Sequence, residues 1–343
     1  MHNVYFGILA GGSGERLWPL STPEMPKQLI PFLNGESLLQ STIKRISPIA
    51  LKENIFIITN TLQEALVKKN VSASIGFIVT EPDKRNTGPA ILLAAHTIYQ
   101  KDPEAIIIFL TADHFIPEPE AFLTSIKKAI EYVSSHKKIA LFGLMPTFPA
   151  TNYGYIQAES SDPKIIINKP YKIKKFHEKP NKEDAQKYMT NNNMFWNMGV
   201  FAGQALVFIE EFKTLAPKIT HAMQQYLDNK ITYDQIPNES VDYAIMEKST
   251  NTTLFPTDFE WHDVGNLYIF LQIQAKYALQ ASPLISLNAH NNLVKSNKKI
   301  IACIDVNNLC IIETDDVLIV ASNDKIDQVK TVLHKLNTCK VIS

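Results

Sequence analysis

The segment Leu9-Ala10-Gly11-Gly12-Ser13-Gly14-Glu15-Arg16-Leu17-Trp18-Pro19 decides the fold, because it directly continues the first apolar run of the chain. That run, Val4–Ala10, predicts a short buried strand. Glycine carries no side chain, so the backbone N–H groups of Gly11–Gly14 can approach a phosphate or a base edge closely. Taken alone, this order of strand and glycine-rich loop is weak evidence for such a site, because a tight turn between a strand and a helix has the same pattern.

Two familiar phosphate-binding loops do not match this segment. A Walker loop needs Gly-Lys-Ser or Gly-Lys-Thr, and the dinucleotide fingerprint needs a third glycine at a fixed spacing. Instead, Arg16 lies in the loop and Pro26-Lys27-Gln28 follows soon after it. Arg16 and Lys27 therefore predict two fixed cations for a triphosphate, and a dehydrogenase is disfavoured.

Beyond the loop, apolar runs alternate with segments of helical periodicity. This alternation predicts a parallel sheet with helices on both faces, and ligands of such sheets bind at the carboxyl ends of the strands. The predicted strands are Val4–Ala10, Ile55–Thr59, Phe77–Val79, Ala105–Leu110 and Ile139–Phe142. The predicted helices are Ser37–Ile46, Thr61–Lys69, Pro89–Lys101 and Phe122–Ser134.

The middle and the end of the chain have different patterns. Strands at Tyr155–Ala158, Lys172–His177 and Asn197–Phe201 predict a mixed extension of the sheet, and Leu267–Leu279 predicts a helix that leaves this domain. Short β runs follow at Ile300–Ile304, Leu309–Glu313 and Val317–Val320, before a closing helix over Asp324–Leu336. The predicted division is a catalytic domain over residues 1–267 and a linker helix with a small β domain over residues 268–343.

Composition limits the class of protein. The 343 residues include 34 Lys+Arg and 34 Asp+Glu, so no overall basic field favours nucleic acid. The start lacks a signal-peptide pattern, and no apolar run approaches the roughly 20 residues that span a bilayer. The three cysteines, without Cys-x-x-Cys spacing, suggest reduced structural residues. We therefore expect a cytoplasmic protein that binds neither membrane nor nucleic acid.

Two acidic residues are candidate metal ligands. The strand Ala105–Leu110 leads into Thr111-Ala112-Asp113-His114, and a second acid lies in Trp261-His262-Asp263-Val264-Gly265. A carboxylate at the carboxyl end of a strand suits magnesium, which prefers oxygen ligands and substrate phosphates. A lone Asp at the position of Asp113 is equally consistent with an ordinary turn-capping residue, and the sequence alone cannot show whether the two acids converge on one metal.

The segment Phe176-His177-Glu178-Lys179-Pro180 ends another predicted strand. Adjacent Glu and Lys are usually surface residues without function. At the mouth of a pocket, Glu178 would accept hydrogen bonds from sugar hydroxyls and Lys179 would meet a sugar phosphate.

Taken together, the motifs resemble those of the mannose-1-phosphate guanylyltransferases, a family within the sugar nucleotidyltransferases. The matching segments occur in the family's order and span about residues 10–267. They are Leu9–Pro19 with Pro26-Lys27-Gln28, Arg85–Ile91, Thr111–His114, Asn152–Ile156, Phe176–Pro180, Trp196–Phe201, Ser240–Glu247 and Trp261–Gly265. One departure adds a charge to the loop, since the family usually has Thr where Glu15 stands.

This resemblance implies a role for each matching residue. Leu9, Gly11, Gly12, Gly14, Arg16, Lys27, Asn86 and Thr87 would bind the nucleotide. Tyr153, Gly154, Glu178, Lys179 and Asn197 would bind the sugar phosphate. Asp113 and Asp263 would bind magnesium, and Arg16, Lys27, Asp113 and Asp263 would carry catalysis. Asp242 stays open between a supporting role and an ordinary residue at a helix start.

The implied fold is a Rossmann-like domain with a mixed, mainly parallel sheet, followed by a small β-helix-like tail. This tail could support a homodimer. The implied reaction joins GTP and mannose 1-phosphate, with magnesium, into GDP-mannose and pyrophosphate. Two alternatives remain: a related enzyme with another base or sugar, such as UTP or glucose 1-phosphate, and a non-catalytic regulator that binds nucleotide sugars.

Overall fold

The computed structural model describes residues 3–160, 162, 164–278, 283–296 and 299–342, apart from the side chains of residues 337 and 339–342. The predicted helix Leu267–Leu279 therefore ends on a residue outside the described ones. No helix within these ranges is long and apolar enough to cross a membrane.

The strands and helices follow the predicted alternation through the first half of the chain. The strands are β1 (Val4–Leu9), β2 (Pro31–Leu33), β3 (Glu36–Ser37), β4 (Ile55–Asn60), β5 (Phe77–Glu81), β6 (Ile106–Thr111), β7 (His114–Phe115), β8 (Ile139–Leu144), β9 (Tyr155–Ala158), β10 (Tyr171–His177), β11 (Met194–Gln204), β12 (Thr252–Thr257), β13 (His262–Asp263), β14 (Leu284–Leu287), β15 (Leu293–Lys295), β16 (Ile301–Ile304), β17 (Leu309–Glu313) and β18 (Leu318–Ser322). The α-helices are α1 (Leu38–Ile46), α2 (Thr61–Val71), α3 (Thr87–Lys101), α4 (Pro119–Ser135), α5 (Lys182–Met189), α6 (Ala205–Leu215), α7 (Pro217–Leu227), α8 (Leu267–Tyr277) and α9 (Val329–Ile342).

The chain divides into two compact units, and each draws on separate stretches of sequence. We call Met1–Gly11, Ile43–Thr111 and Ile116–Glu260 the sheet unit. We call Gly12–Thr42, Ala112–Phe115 and Trp261–Ser343 the loop unit. These compact units do not follow a single division of the chain, so the predicted domain boundary after residue 267 stays a prediction.

The sheet unit is built on a nine-stranded sheet in the order β5-β4-β1-β6-β11-β8-β12-β10-β9. The pairs among β5, β4, β1 and β6 are parallel, as is the pair β12–β8. Strand β11 runs antiparallel to both β6 and β8, and β10 runs antiparallel to both β12 and β9. The sheet is therefore mixed, as expected for the fold class.

Burial shows that both faces of the central strands are covered. Every residue of β4 and of β8 is buried. Because successive side chains of a strand point to opposite faces, this pattern requires packing on both sides. One face contributes Phe56, Ile107 and Phe109 to a large apolar core that also contains residues of α3 and α6.

The loop unit has its own core. Leu17 and Phe32, from the N-terminal part of the chain, share this buried cluster with Phe270 of α8 and with Cys310 and Ile326 of the C-terminal part. The unit contains the small sheets β2–β3, β7–β13, β14–β16 and β15–β17–β18. The predicted closing helix consists of a 3₁₀ turn over Ile326–Gln328 followed by α9.

Candidate active site

The glycine-rich loop brings Lys27 beneath Gly14. Gly14 has φ 71°, a conformation that residues with a side chain rarely adopt, and a Cβ there would lie 2.5 Å from Cβ of Lys27. The Gly14 carbonyl accepts hydrogen bonds from the Leu17 N–H at 2.7 Å and from the Ser21 hydroxyl at 2.6 Å. The turn Glu15–Leu17 that follows leaves Arg16 exposed and buries Leu17.

Two short strands bring the predicted metal ligands together. Strand β7 pairs antiparallel with β13, with Asp263 opposite His114. The Val264 N–H donates to the Asp113 carbonyl at 3.0 Å, which fixes the two acidic segments side by side. The sequence alone leaves open whether these acids converge, and the structure brings them together.

Lys27 lies between the two carboxylates. Its Nζ is 2.6 Å from Oδ2 of Asp113 and 3.9 Å from Oδ1 of Asp263. Burial alone would raise the pKa of Asp113, but the Lys27 ammonium ion lowers it to about 2. Burial alone would lower the pKa of Lys27, whereas attraction by Asp113 and Asp263 raises it. Asp113 and Lys27 therefore both stay charged at neutral pH.

This cluster has the donor set of a divalent-cation site. Asp113, His114 and Asp263 each offer a ligand atom, and these atoms lie within 4.8 Å of one another. Carboxylate oxygens are the ligands that magnesium prefers. Lys27 Nζ contacts one of the two carboxylate oxygens of Asp113, so a cation that used this oxygen would displace the ammonium group.

In the sheet unit, a second group lies where three parallel strands end. Asn60, the last residue of β4, donates from Nδ2 to the Gly11 carbonyl at 3.1 Å. Glu81, the last residue of β5, is buried, and a Cβ at Gly11 would lie 3.9 Å from its Oε2. Its Oε1 accepts a hydrogen bond from the Tyr233 hydroxyl at 2.7 Å. Burial raises the pKa of Glu81 to about 7, although the Tyr233 hydrogen bond lowers it.

Sequence analysis missed Glu81. The signal that could have found it is an acidic residue at the carboxyl end of a buried strand, the same signal that identified Asp113. The predicted strand Phe77–Val79 ends two residues before Glu81.

Helix α3 begins at Thr87, two residues before its predicted start, and Asn86 precedes it in an unusual conformation. Asn86 has φ 67° and ψ −176°, a region occupied almost only by glycine. Its side chain accepts from the Thr87 N–H at 2.9 Å, and the Thr87 hydroxyl accepts from the Val241 N–H at 3.0 Å. Strain of this kind, held by hydrogen bonds at a helix N-terminus, is common at ligand sites.

A third group, also in the sheet unit, contains most of the predicted sugar-phosphate residues. Lys179 Nζ contacts Oε1 of Glu178 at 2.6 Å. A Cβ at Gly154 would lie 2.7 Å from Oε2 of Glu178, so only glycine fits there without displacing that carboxylate. The Asn197 N–H donates to the Gly154 carbonyl at 2.8 Å. The structure therefore brings Gly154, Glu178, Lys179 and Asn197 together.

Asp242 joins this group through Asn197, whose Nδ2 donates to Oδ1 of Asp242 at 3.0 Å. Burial, together with the nearby Glu178 carboxylate, raises the pKa of Asp242 to about 7, although Lys179 acts in the opposite direction. Asp242 also begins a π-helical turn over Asp242–Met246, a feature frequent at functional sites. These contacts favour a supporting role over an ordinary helix start.

Tyr153 lies beside the group in an aromatic cluster. Its ring centroid is 5.3 Å from that of Trp196 and 6.3 Å from that of Phe148. Two predicted nucleotide residues remain. Leu9 is the last residue of β1, and Gly12 is exposed in the loop that follows.

Comparison with known proteins shows to which family the chain belongs. The sequence matches the family model Nucleotidyl transferase over residues 7–280. The chain belongs to the nucleotidyl transferase family. A second match, to the MannoseP isomerase/GMP-like beta-helix domain, covers residues 282–336 and agrees with the small β domain predicted for the tail.

Comparison with individual proteins shows to which branch of the nucleotidyl transferase family the chain is similar. The chain is 32% identical to Mannose-1-phosphate guanylyltransferase 2 of Escherichia coli O157:H7, over 96% of the chain and 72% of that protein. It is 33% identical to Mannose-1-phosphate guanylyltransferase of Salmonella montevideo, over 96% of the chain and 73% of that protein. A crystal structure from Thermus thermophilus, described as mannose-1-phosphate geranyltransferase, matches with TM-score 0.86 and 28% identity, over 98% of this chain and 99% of that one. Within its family, the chain belongs with the mannose-1-phosphate guanylyltransferases.

Proposed function

We propose that the protein transfers GMP from GTP to mannose 1-phosphate. The observation that carries this proposal is the cluster of Lys27, Asp113 and Asp263 in a chain of this family. An oxygen of the sugar phosphate attacks the α-phosphorus of GTP, and the bond from that phosphorus to the oxygen bridging to the β-phosphate breaks. Pyrophosphate leaves with the bonding electron pair, and GDP-mannose remains.

The attacking phosphate oxygen is already ionised at neutral pH, so the reaction needs no general base. What it needs is neutralisation of charge, because two anionic substrates must meet. Asp113 and Asp263 would hold magnesium, which when bound would offset negative charge on the phosphate oxygens. Arg16 and Lys27 would add positive charge at the triphosphate.

Mannose 1-phosphate would be held by the group around Glu178. The Glu178 carboxylate accepts hydrogen bonds from sugar hydroxyls, and the Lys179 ammonium ion, half exposed, meets the sugar phosphate. Gly154 supports this arrangement by leaving room for the carboxylate. Asn197 and Tyr153 complete the predicted set.

Glu81 supports a preference for guanine. Guanine presents two adjacent donors, N1–H and the N2 amino group, which a carboxylate can accept together. Uracil and adenine lack this pair of adjacent donors. Oε2 of Glu81 faces the glycine-rich loop at Gly11, and Leu9, Asn86 and Thr87 are the other residues assigned to the nucleotide.

The proposal is tested by pyrophosphate release across GTP, ATP, UTP and dTTP, each with mannose 1-phosphate and with glucose 1-phosphate. GTP with mannose 1-phosphate should be the best pair. Base discrimination should reach about 100-fold, because two unpaired buried polar groups cost on the order of 1–3 kcal/mol each. Sugar discrimination should be weaker, since the two sugars differ in the orientation of one hydroxyl.

The same assay tests the metal site. Chelation should abolish turnover, and Asp113→Asn should lower it by roughly 100-fold, the scale expected for a lost transition-state contact of about 3 kcal/mol. Asp316→Asn, at an exposed turn, is the matched control. A preference for UTP would overturn the guanylyltransferase proposal, and binding of both substrates without turnover would favour the non-catalytic regulator.

A further inference from the structure

The C-terminal helix contacts the turn that carries Arg16. In the loop unit, Lys330 of α9 places Nζ 3.0 Å from Oε2 of Glu15. One helical turn later, Nε2 of His334 lies 3.9 Å from the same oxygen. Residues four apart share one face of a helix, so α9 presents both side chains to Glu15.

Apolar packing also holds the turn Glu15–Leu17 in place. Leu17 is fully buried in a cluster with Ile326 and Val329, the residues that begin the C-terminal 3₁₀ turn and α9. Arg16 therefore has one neighbour paired with Lys330 and the other packed against the base of the same helix. Its own side chain is exposed.

The charge of Glu15 makes this contact relevant to the nucleotide. A carboxylate one residue before Arg16 would repel a triphosphate and offset the guanidinium charge. Lys330 brings a positive charge to that carboxylate from a segment more than 300 residues later in the chain.

We propose that Lys330 is a positioning residue for the nucleotide loop: it holds and neutralises Glu15, and thereby leaves Arg16 available to the triphosphate. His334 extends the same contact. This inference rests on the proposed function, and it gives the C-terminal segment an indirect part in nucleotide binding. Lys330 itself touches no substrate.

The inference requires the effect of Lys330 to depend on Glu15. Lys330→Ala should raise KM for GTP by up to roughly fivefold, the range for a partly exposed ion pair, and leave KM for mannose 1-phosphate unchanged. Raised ionic strength should shrink the difference from wild type, because salt screens exposed charges. Lys335→Ala removes an equal charge from an exposed position of the same helix and should have no effect.

A double-mutant cycle provides the decisive measurement. In a Glu15→Gln background, Lys330→Ala should no longer change KM for GTP, because the carboxylate it neutralises is gone. Thermal unfolding of each variant separates this coupling from a loss of stability. An equal loss in both backgrounds, or a loss matched by Lys335→Ala, would overturn the proposal.

The outcome is distinguishable from failure of the proposed function. Wild-type turnover with the substrate panel tests that function first. If another triphosphate proves to be the substrate, the cycle is run with that triphosphate. If none is turned over, calorimetric titration of the four variants with magnesium-free GTP measures the same coupling as affinity, and equal affinities would overturn the inference.

Discussion

Two lysines sit in different charge environments, and this difference predicts separate kinetic roles. Lys27 lies between Asp113 and Asp263 in the loop unit, whereas Lys179 pairs with Glu178 in the sheet unit. Lys27→Ala should chiefly raise KM for GTP and lower kcat. Lys179→Ala should chiefly raise KM for mannose 1-phosphate.

Steady-state kinetics with one substrate varied at a time separates the two effects. Lys230→Ala, which breaks an exposed ion pair with Asp228, is the control for loss of a lysine. If Lys179→Ala disturbed only the GTP dependence, the assignment of the two substrates would be reversed.

Glu81 combines a functional prediction with a stability prediction. Burial raises its pKa from 4.5 in the unfolded chain to about 7, so the folded state binds more protons than the unfolded state between these values. Stability therefore falls as pH rises through this window, by roughly 3 kcal/mol at most. The pKa of Asp242 is also raised to about 7, so this carboxyl group adds to the same fall in stability with rising pH.

Glu81→Gln should flatten this dependence, since glutamine does not titrate. Thermal unfolding at pH 5 and pH 8 should show the wild type losing more stability than the variant. The variant should also bind GTP more weakly, because an amide cannot accept both guanine donors. A variant with wild-type GTP affinity would exclude Glu81 from the base contact, whatever its effect on stability.

At the scale of elements, the glycine-rich loop offers a matched pair of substitutions. Gly14→Ala adds a methyl group at φ 71°, close to Lys27, and should destabilise the protein by about 1–2 kcal/mol or more. A Cβ at Gly12 meets nothing within 4 Å, so Gly12→Ala should leave stability within about 0.5 kcal/mol. Urea denaturation measures both, and equal losses would show that the Gly14 conformation is not the cause.

The first-half strands were predictable because they are short, apolar and separated by periodic helices. The helix α6 was not predicted, since it follows β11 without a break and the apolar run across Gln204 has no clear period. The antiparallel direction of β11 was not predictable either, because it depends on pairing with distant strands.

The same reasoning applies to the site. Motifs identified Asp113 and Asp263 one at a time, but their convergence depends on the ladder between β7 and β13. The Asn197–Asp242 and Glu15–Lys330 contacts leave no local pattern in the sequence, because each joins residues far apart along the chain.

At the scale of the whole molecule, the loop unit should behave as one cooperative unit. Ile326 is buried in the same cluster as Leu17, and its replacement by Ala should cost about 2–4 kcal/mol. Hydrogen exchange should then rise in residues 12–42, far from the substitution in sequence, more than in β4 and β8. Leu318→Ala, at an exposed position of β18, is the control. Uniform acceleration throughout the chain would show a single global unfolding reaction instead. The sequence leaves open whether the protein forms a homodimer, and light scattering would decide this.

The interleaving of the two units has a consequence for synthesis on the ribosome. Residues 12–42 emerge from the ribosome before the apolar partners of Leu17, which include Ile326 and Val329, more than 300 residues later in the chain. During this interval of translation the segment around Leu17 lacks these packing partners. A chain interrupted before Ile326 would therefore carry the glycine-rich motif without the apolar contacts that support it.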